Sequence, residues 1–185
     1  MKEITKFIKE GLKITSKTKV NKRPKYNYHP KTKKELKDLL KQLIEERGNE
    51  GDFNDIDTSK IKDMSELFDN IDNRDKFNGD ISNWDVSNVV NMNSMFYKCE
   101  SFNQLLANWK VYNVTNMEFM FCGCISFNRP LANWNVSKVK SMSYMFYYCT
   151  SFNQPLANWN VSKVIYTGFM FERCPIEEKY KPKFK

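Results

Sequence analysis

An α/β repeat solenoid is the fold class that the sequence predicts, and three observations predict it. Tryptophan recurs at Trp84, Trp109, Trp134 and Trp159, and a Met-Phe pair recurs at Met95-Phe96, Met120-Phe121, Met145-Phe146 and Met170-Phe171, all in strict 25-residue register. Columns of large apolar residues at a fixed period mark stacked repeats. A fainter copy precedes them, offset by 28 residues, with Ile56, Ile61, Met64, Leu67 and Phe68 in the places of Trp84, Val89, Met92, Met95 and Phe96, so the unit occurs five times. Within a unit, finally, one stretch alternates with period two and a second follows helical spacing. Each coil is therefore expected to hold one short parallel strand and one short helical segment.

The chain divides in order into a basic arm (1–30), a capping helix (31–50), five repeats (51–175) and a charged tail (176–185). Of the net charge of +8, residues 1–34 hold +10, from twelve Lys/Arg against Glu3 and Glu10, so the rest of the chain sums to −2. Basicity belongs to the arm. In it, Ile4, Phe7, Ile8 and Leu12 share one side of a helical projection. Lys17, Lys19, Lys22, Arg23 and Lys25 then cluster beside Tyr26 and Tyr28. Cations next to aromatic rings suit phosphate and stacked bases, and equally an anionic surface or an acidic protein.

Thr32-Lys-Lys-Glu35 reads as a capping box, with the Thr32 hydroxyl on the Glu35 N–H and the Glu35 carboxylate on Thr32's own N–H. Leu36, Leu39, Leu40, Leu43 and Ile44 make one apolar stripe, and Arg47-Gly48 ends the helix. An amphipathic helix just before a repeat array is expected to cover the open core of the first coil. Within a repeat, Trp134 and Val136 alternate with Asn135 and Ser137 as an inward-facing strand. Ser141, with Asn91 and Asn116 in its column, then caps a turn of helix carrying Met142, Met145 and Phe146. Asn78, Asn103, Asn128 and Asn153 form a further column, expected to bond to one another and to turn backbone. Three extra residues between the first and second units, around 70–75, are expected to bulge as a polar loop.

Cys99, Cys124, Cys149 and Cys174 share one column and are expected, with Cys122, to be reduced core thiols. The one histidine, His29, stands far upstream, so neither a metal nor a cofactor is expected. The repeats show no nucleophile with its base, no paired carboxylates at a pocket and no glycine-rich phosphate loop, so the chain is not expected to be an enzyme. The opening is interrupted by charge every few positions and there is no long apolar run, hence no signal peptide or transmembrane segment is expected. The expected location is the cytoplasm or a virus particle.

The phrases Phe-Asn-Gly-Asp-Ile-Ser-Asn-Trp-Asp-Val-Ser-Asn-Val (77–89) and Asn-Met-Asn-Ser-Met-Phe (91–96) closely resemble the BspA-like leucine-rich-repeat family, also found in mycoplasma surface lipoproteins. The resemblance covers about 53–174. It implies right-handed coils of leucine-rich-repeat type that bind proteins. The opening 1–14 is similar to the starts of small proteins of tailed phages of gut bacteria. The leading expectation is a non-catalytic protein-interaction or structural module attached through its arm. The alternatives are a virion-associated structural protein docked by that arm and nucleic-acid binding through it. The outward positions beside the Trp column vary between coils, and so Asp85, Ser87, Lys110, Tyr112, Asn135 and Asn160 are the candidate partner-binding residues, with Lys17, Lys19, Lys22, Arg23 and Lys25 in the arm.

Overall fold

A computed structural model describes residues 26–184. The helix α1 spans Lys33–Arg47. Thr32 is its N-cap, and the Glu35 N–H donates to Thr32 Oγ1 at 3.2 Å. The Glu35 carboxylate accepts from the Lys31 N–H at 2.8 Å and not from that of Thr32, so the box closes one residue earlier than expected. Gly48 stops α1 because its φ of 76° lies in the left-handed region, where a residue without Cβ is unstrained, and its N–H returns to the Ile44 carbonyl. Leu36, Leu40, Leu43 and Ile44 are buried against the first repeat. Polar ties hold the same helix at both ends, Lys33 to Asp63 at 3.1 Å and Arg47 to Asp55 at 2.8 Å.

The expected α/β solenoid of leucine-rich-repeat type does not form. Among the described residues, α1 is the one α-helix, Arg74–Lys76 and Glu178–Tyr180 are single 3-10 turns, and there is no β-strand, only isolated bridges. The strand fails where Trp and Val alternate because turns within the repeat consume its donors. Trp134 N–H goes to the Leu131 carbonyl, Val139 N–H to that of Val136, and Ser137 N–H to the Asn135 side chain. The helical segment fails for a different reason. Ser94, Phe119, Tyr144 and Phe169 all have φ between 53° and 57°, and Lys98, Tyr148 and Arg173 between 57° and 60°, so two left-handed residues four positions apart interrupt the segment. No α-helix continues through such residues. The i, i+3, i+4 spacing of Met142, Met145 and Phe146 arises instead from successive tight turns, with Met145 N–H on the Met142 carbonyl and Cys149 N–H on that of Phe146.

The repeats nevertheless stack in register. Parallel bridges run Asp63, Asn91, Asn116, Ser141, Tyr166, passing through the very residues expected to cap helices. Each of the inner repeats donates four N–H groups to the next. Met142, Tyr144, Phe146 and Tyr148, for example, donate to the carbonyls of Tyr166, Gly168, Met170 and Glu172 at 2.8–3.0 Å. Between these edges lies a double column of phenylalanines. Successive rings of the Phe68, Phe96, Phe121, Phe146, Phe171 column stand 5.4–5.7 Å apart. Those of the Phe77, Phe102, Phe127, Phe152 column stand 5.9–6.1 Å apart. The two columns meet at 4.2–4.4 Å within each repeat. Beside them every tryptophan donates Nε1–H to a carbonyl of the preceding repeat, Trp84 to Phe53, Trp109 to Ile81, Trp134 to Leu106 and Trp159 to Leu131.

The asparagine column does bond as a ladder. Asn78 Oδ1 accepts from the Asn103 N–H, Asn103 from Asn128, Asn128 from Asn153, and Asn153 from Glu177, each at 2.9–3.0 Å. That last rung anchors the tail, whose Tyr180 carbonyl takes the Leu156 N–H and whose Ile176 and Pro182 are buried.

Acid should loosen the N-terminal end. Asp55 accepts both guanidinium donors of Arg47, at 2.8 and 3.1 Å, and that pairing holds its carboxyl below the ordinary range. A depressed folded pKa stabilises at pH above the unfolded value of about 4 and is lost as pH falls through the folded one. Urea midpoints followed from neutral pH downward should therefore fall less steeply below about pH 4 in Asp55→Asn than in the wild type.

Candidate functional site

The candidate face is built by a two-residue step repeated on a fixed backbone. In Trp84-Asp85-Val86-Ser87 and Trp109-Lys110-Val111-Tyr112, the Trp and Val are buried, which leaves the intervening side chains turned out. The structure brings Asp85, Ser87, Lys110 and Tyr112 around one hollow of about 260 Å³, with Asn83 and Asn108 at its edge. Asn135 and Asn160 are exposed in the same column one and two repeats further on and do not line the hollow. Asp85 Oδ1 accepts the Ser87 N–H at 2.9 Å, as Asn135 and Asn160 do for Ser137 and Ser162 at 3.2 Å, so these acceptors fix the local turn. Lys110 and Tyr112 carry no such internal role. A carboxylate and an ammonium on neighbouring repeats, with a phenol that is 40% exposed, form a polar hollow.

Lys17, Lys19, Lys22, Arg23 and Lys25 lie outside the described residues. The described chain does begin by pairing with the first repeat, since the Asn27 N–H donates to the Asp55 carbonyl at 2.8 Å and Tyr28 bridges Ile56.

A second surface escaped the sequence reading. Phe119, Tyr144 and Phe169 stack face to face at 4.6 and 5.1 Å along the outside of the tight turns. Next to them Tyr97, Lys98, Cys122, Gly123, Tyr147 and Tyr148 line a notch of about 310 Å³, because Gly123 stands where other repeats have Lys98, Tyr148 or Arg173. The signal was in the 25-residue period of Phe119, Tyr144 and Phe169, but at helical spacing these positions read as solvated surface.

All five cysteines are free thiols. Cys124 and Cys149 donate Sγ–H to the carbonyls of Phe96 and Phe121 at 3.0 and 2.9 Å. Burial raises the pKa of each thiol, that of Cys122 to about 11, which disfavours thiolate chemistry. Among the described residues no three His, Cys, Asp or Glu side chains are grouped to hold a metal ion. Nor is any helix there long and apolar enough to cross a membrane.

No curated protein and no solved structure matches the chain. One family does, over residues 35–128 and again over 63–181, two overlapping spans that together take in all but the first two residues of α1 and all five repeats. The match supports a repeat family of mycoplasma type, without the leucine-rich-repeat geometry that the resemblance implied. By that match the chain belongs to the family described as mycoplasma protein of unknown function, DUF285.

Proposed function

We propose that the chain is a non-catalytic protein-binding module that recognises its partner on the face formed by Asp85, Ser87, Lys110, Tyr112, Asn135 and Asn160, with the basic arm supplying electrostatic attachment. What carries this reading is the hollow beneath Tyr112, where four of those side chains converge on backbone that is locked from behind by buried Trp and Val. A rigid face whose residues differ between repeats can select a partner at little ordering cost. Tyrosine is enriched among interface residues that dominate binding energy. The +10 of residues 1–34 acts at longer range and should be screened by salt.

Immobilised chain exposed to cell extract tests both parts, with bound proteins and nucleic acids identified by mass spectrometry and sequencing. Tyr112→Ala should lose a specific protein, weakened by about tenfold or more, while keeping the wild-type urea midpoint. Replacing Lys17, Lys19, Lys22, Arg23 and Lys25 together by glutamine should remove the salt-sensitive part of retention. If Tyr112→Ala retains what the wild type retains, the face is not the site. Retention of nucleic acid alone, abolished in the arm variant, would replace the protein reading with the nucleic-acid one. A capsid or tail protein lost only with the arm variant would instead favour the virion-associated reading.

A further inference from the structure

The stack ends on a row of unpaired donors. Repeat by repeat, Met92, Ser94, Phe96 and Lys98, then Met117, Phe119, Phe121 and Gly123, then Met142, Tyr144, Phe146 and Tyr148 give their N–H groups to the following repeat. The equivalent N–H groups of the last repeat belong to Thr167, Phe169, Phe171 and Arg173, and among the described residues none has a hydrogen-bond partner. The Ile165 carbonyl, whose counterpart on Lys140 accepts from Ile165 and Tyr166, is likewise free on the same edge. The tail's hydrogen bonds to the repeats fall instead on Asn153 and Leu156. Three apolar side chains flank the row, Ile165 70%, Tyr166 62% and Phe169 60% exposed, and Phe169 ends the Phe119, Tyr144, Phe169 ring stack with one face uncovered.

We propose that this edge is a second binding surface, which takes a segment of a partner protein that runs parallel to 165–173 and follows the turned course of the repeats' own edges. The segment offers one residue that bonds to both the Ile165 carbonyl and the Thr167 N–H. Its carbonyls at every second residue thereafter meet Phe169, Phe171 and Arg173, and an aromatic side chain lies on the open face of Phe169. The pattern of donors dictates this chemistry. From Thr167 onward the edge presents N–H groups alone, since the carbonyls of Thr167, Phe169 and Phe171 are taken by Met170, Glu172 and Cys174 in the turns of the same repeat.

A second copy of the chain does not fit. Two such edges placed tail to tail would set N–H rows against N–H rows. The opposite end of the stack is covered by α1, with Lys33 Nζ on Ser65 Oγ and Lys37 Nζ on the Glu66 carbonyl. Edge addition of this kind draws affinity from main-chain bonds and selectivity from flanking side-chain pockets.

The test uses the full chain and a synthetic peptide copying residues 140–149, with serine in place of Cys149, which repeats the acceptor pattern that the array itself uses. Amide hydrogen exchange resolved by NMR should slow by about tenfold or more at Thr167, Phe169, Phe171 and Arg173 with saturating peptide, and not at Met142 or Tyr144. Tyr166→Lys and Phe169→Lys, both at exposed positions, should weaken the peptide by about tenfold while leaving the urea midpoint unchanged. Absence of selective protection, equal binding by both variants or equal binding of a scrambled peptide would overturn the proposal. So would a concentration-dependent dimer in sedimentation that Phe169→Lys dissolves, since a second copy would then be the occupant.

Discussion

Replacing Trp134 by alanine should cost about 3–5 kcal/mol of unfolding free energy, read as a shift in the urea midpoint at unchanged slope. The side chain is buried, lies parallel to Trp159 at 6.4 Å and 2°, and touches the Phe121 ring at 6.2 Å. Its removal opens a cavity that the neighbours cannot close. The repeats above and below are pinned by four backbone bonds each, so sliding one ring column into the gap would break register throughout the stack. The Leu106 carbonyl also loses the Nε1–H donor at 2.9 Å and keeps only the Trp109 N–H at 3.0 Å. Trp159→Ala is the internal comparison and should cost less, since Trp159 has the Trp134 ring beside it but no phenylalanine in the place that Phe121 takes beside Trp134, and lies in the last repeat. Equal costs for the two would mean that the stack contributes nothing beyond the burial of each ring.

The features that proved legible are those in which side-chain chemistry leaves a periodic mark. Five repeats, their core columns and the bonding of Asn78, Asn103, Asn128 and Asn153 follow from the 25-residue register, because each buried ring or amide must meet its own kind one layer away. Helix α1 was legible through Thr32, the leucine stripe and Gly48, local signals that tertiary packing had no reason to override. What could not be read is backbone. Left-handed φ at Phe119, Tyr144, Tyr148 and Phe169 is carried by aromatic residues, where Gly or Asn would have announced it, so the Met and Phe spacing passed for helix. The Trp-x-Val alternation passed for strand because sequence shows which way side chains point and not which carbonyl takes each N–H. The same division holds for the two candidate surfaces. The hollow at Asp85, Ser87, Lys110 and Tyr112 was foreseeable from outward positions, whereas the open edge at Thr167 to Arg173 consists of N–H groups that every residue but proline carries.

Leu40→Asp should be more damaging still, about 4 kcal/mol or more, and should lower the thermal midpoint of the whole chain. Leu40 is fully buried in the middle of the α1 stripe, between Leu36 and Leu43, so the substitution both removes a core side chain and forces a carboxyl out of water. The helix has polar ties at either end, Lys33 to Asp63 and Arg47 to Asp55, and these cannot hold it once the stripe repels the first repeat. The half-exposed Lys33–Asp63 pair contributes about 1 kcal/mol or less. With α1 gone, Phe53, Ile56, Met64 and Phe68 lose their cover, and a repeat that depends on its neighbours on both sides loses one of them. Far-ultraviolet ellipticity at the helix band reports α1, and near-ultraviolet ellipticity reports the ordered tryptophans. Both signals should fall together at a lowered temperature in Leu40→Asp. If the near-ultraviolet transition instead stayed at the wild-type temperature while the helix signal vanished, repeats two to five would be stable without their cover and α1 would be an accessory to the stack.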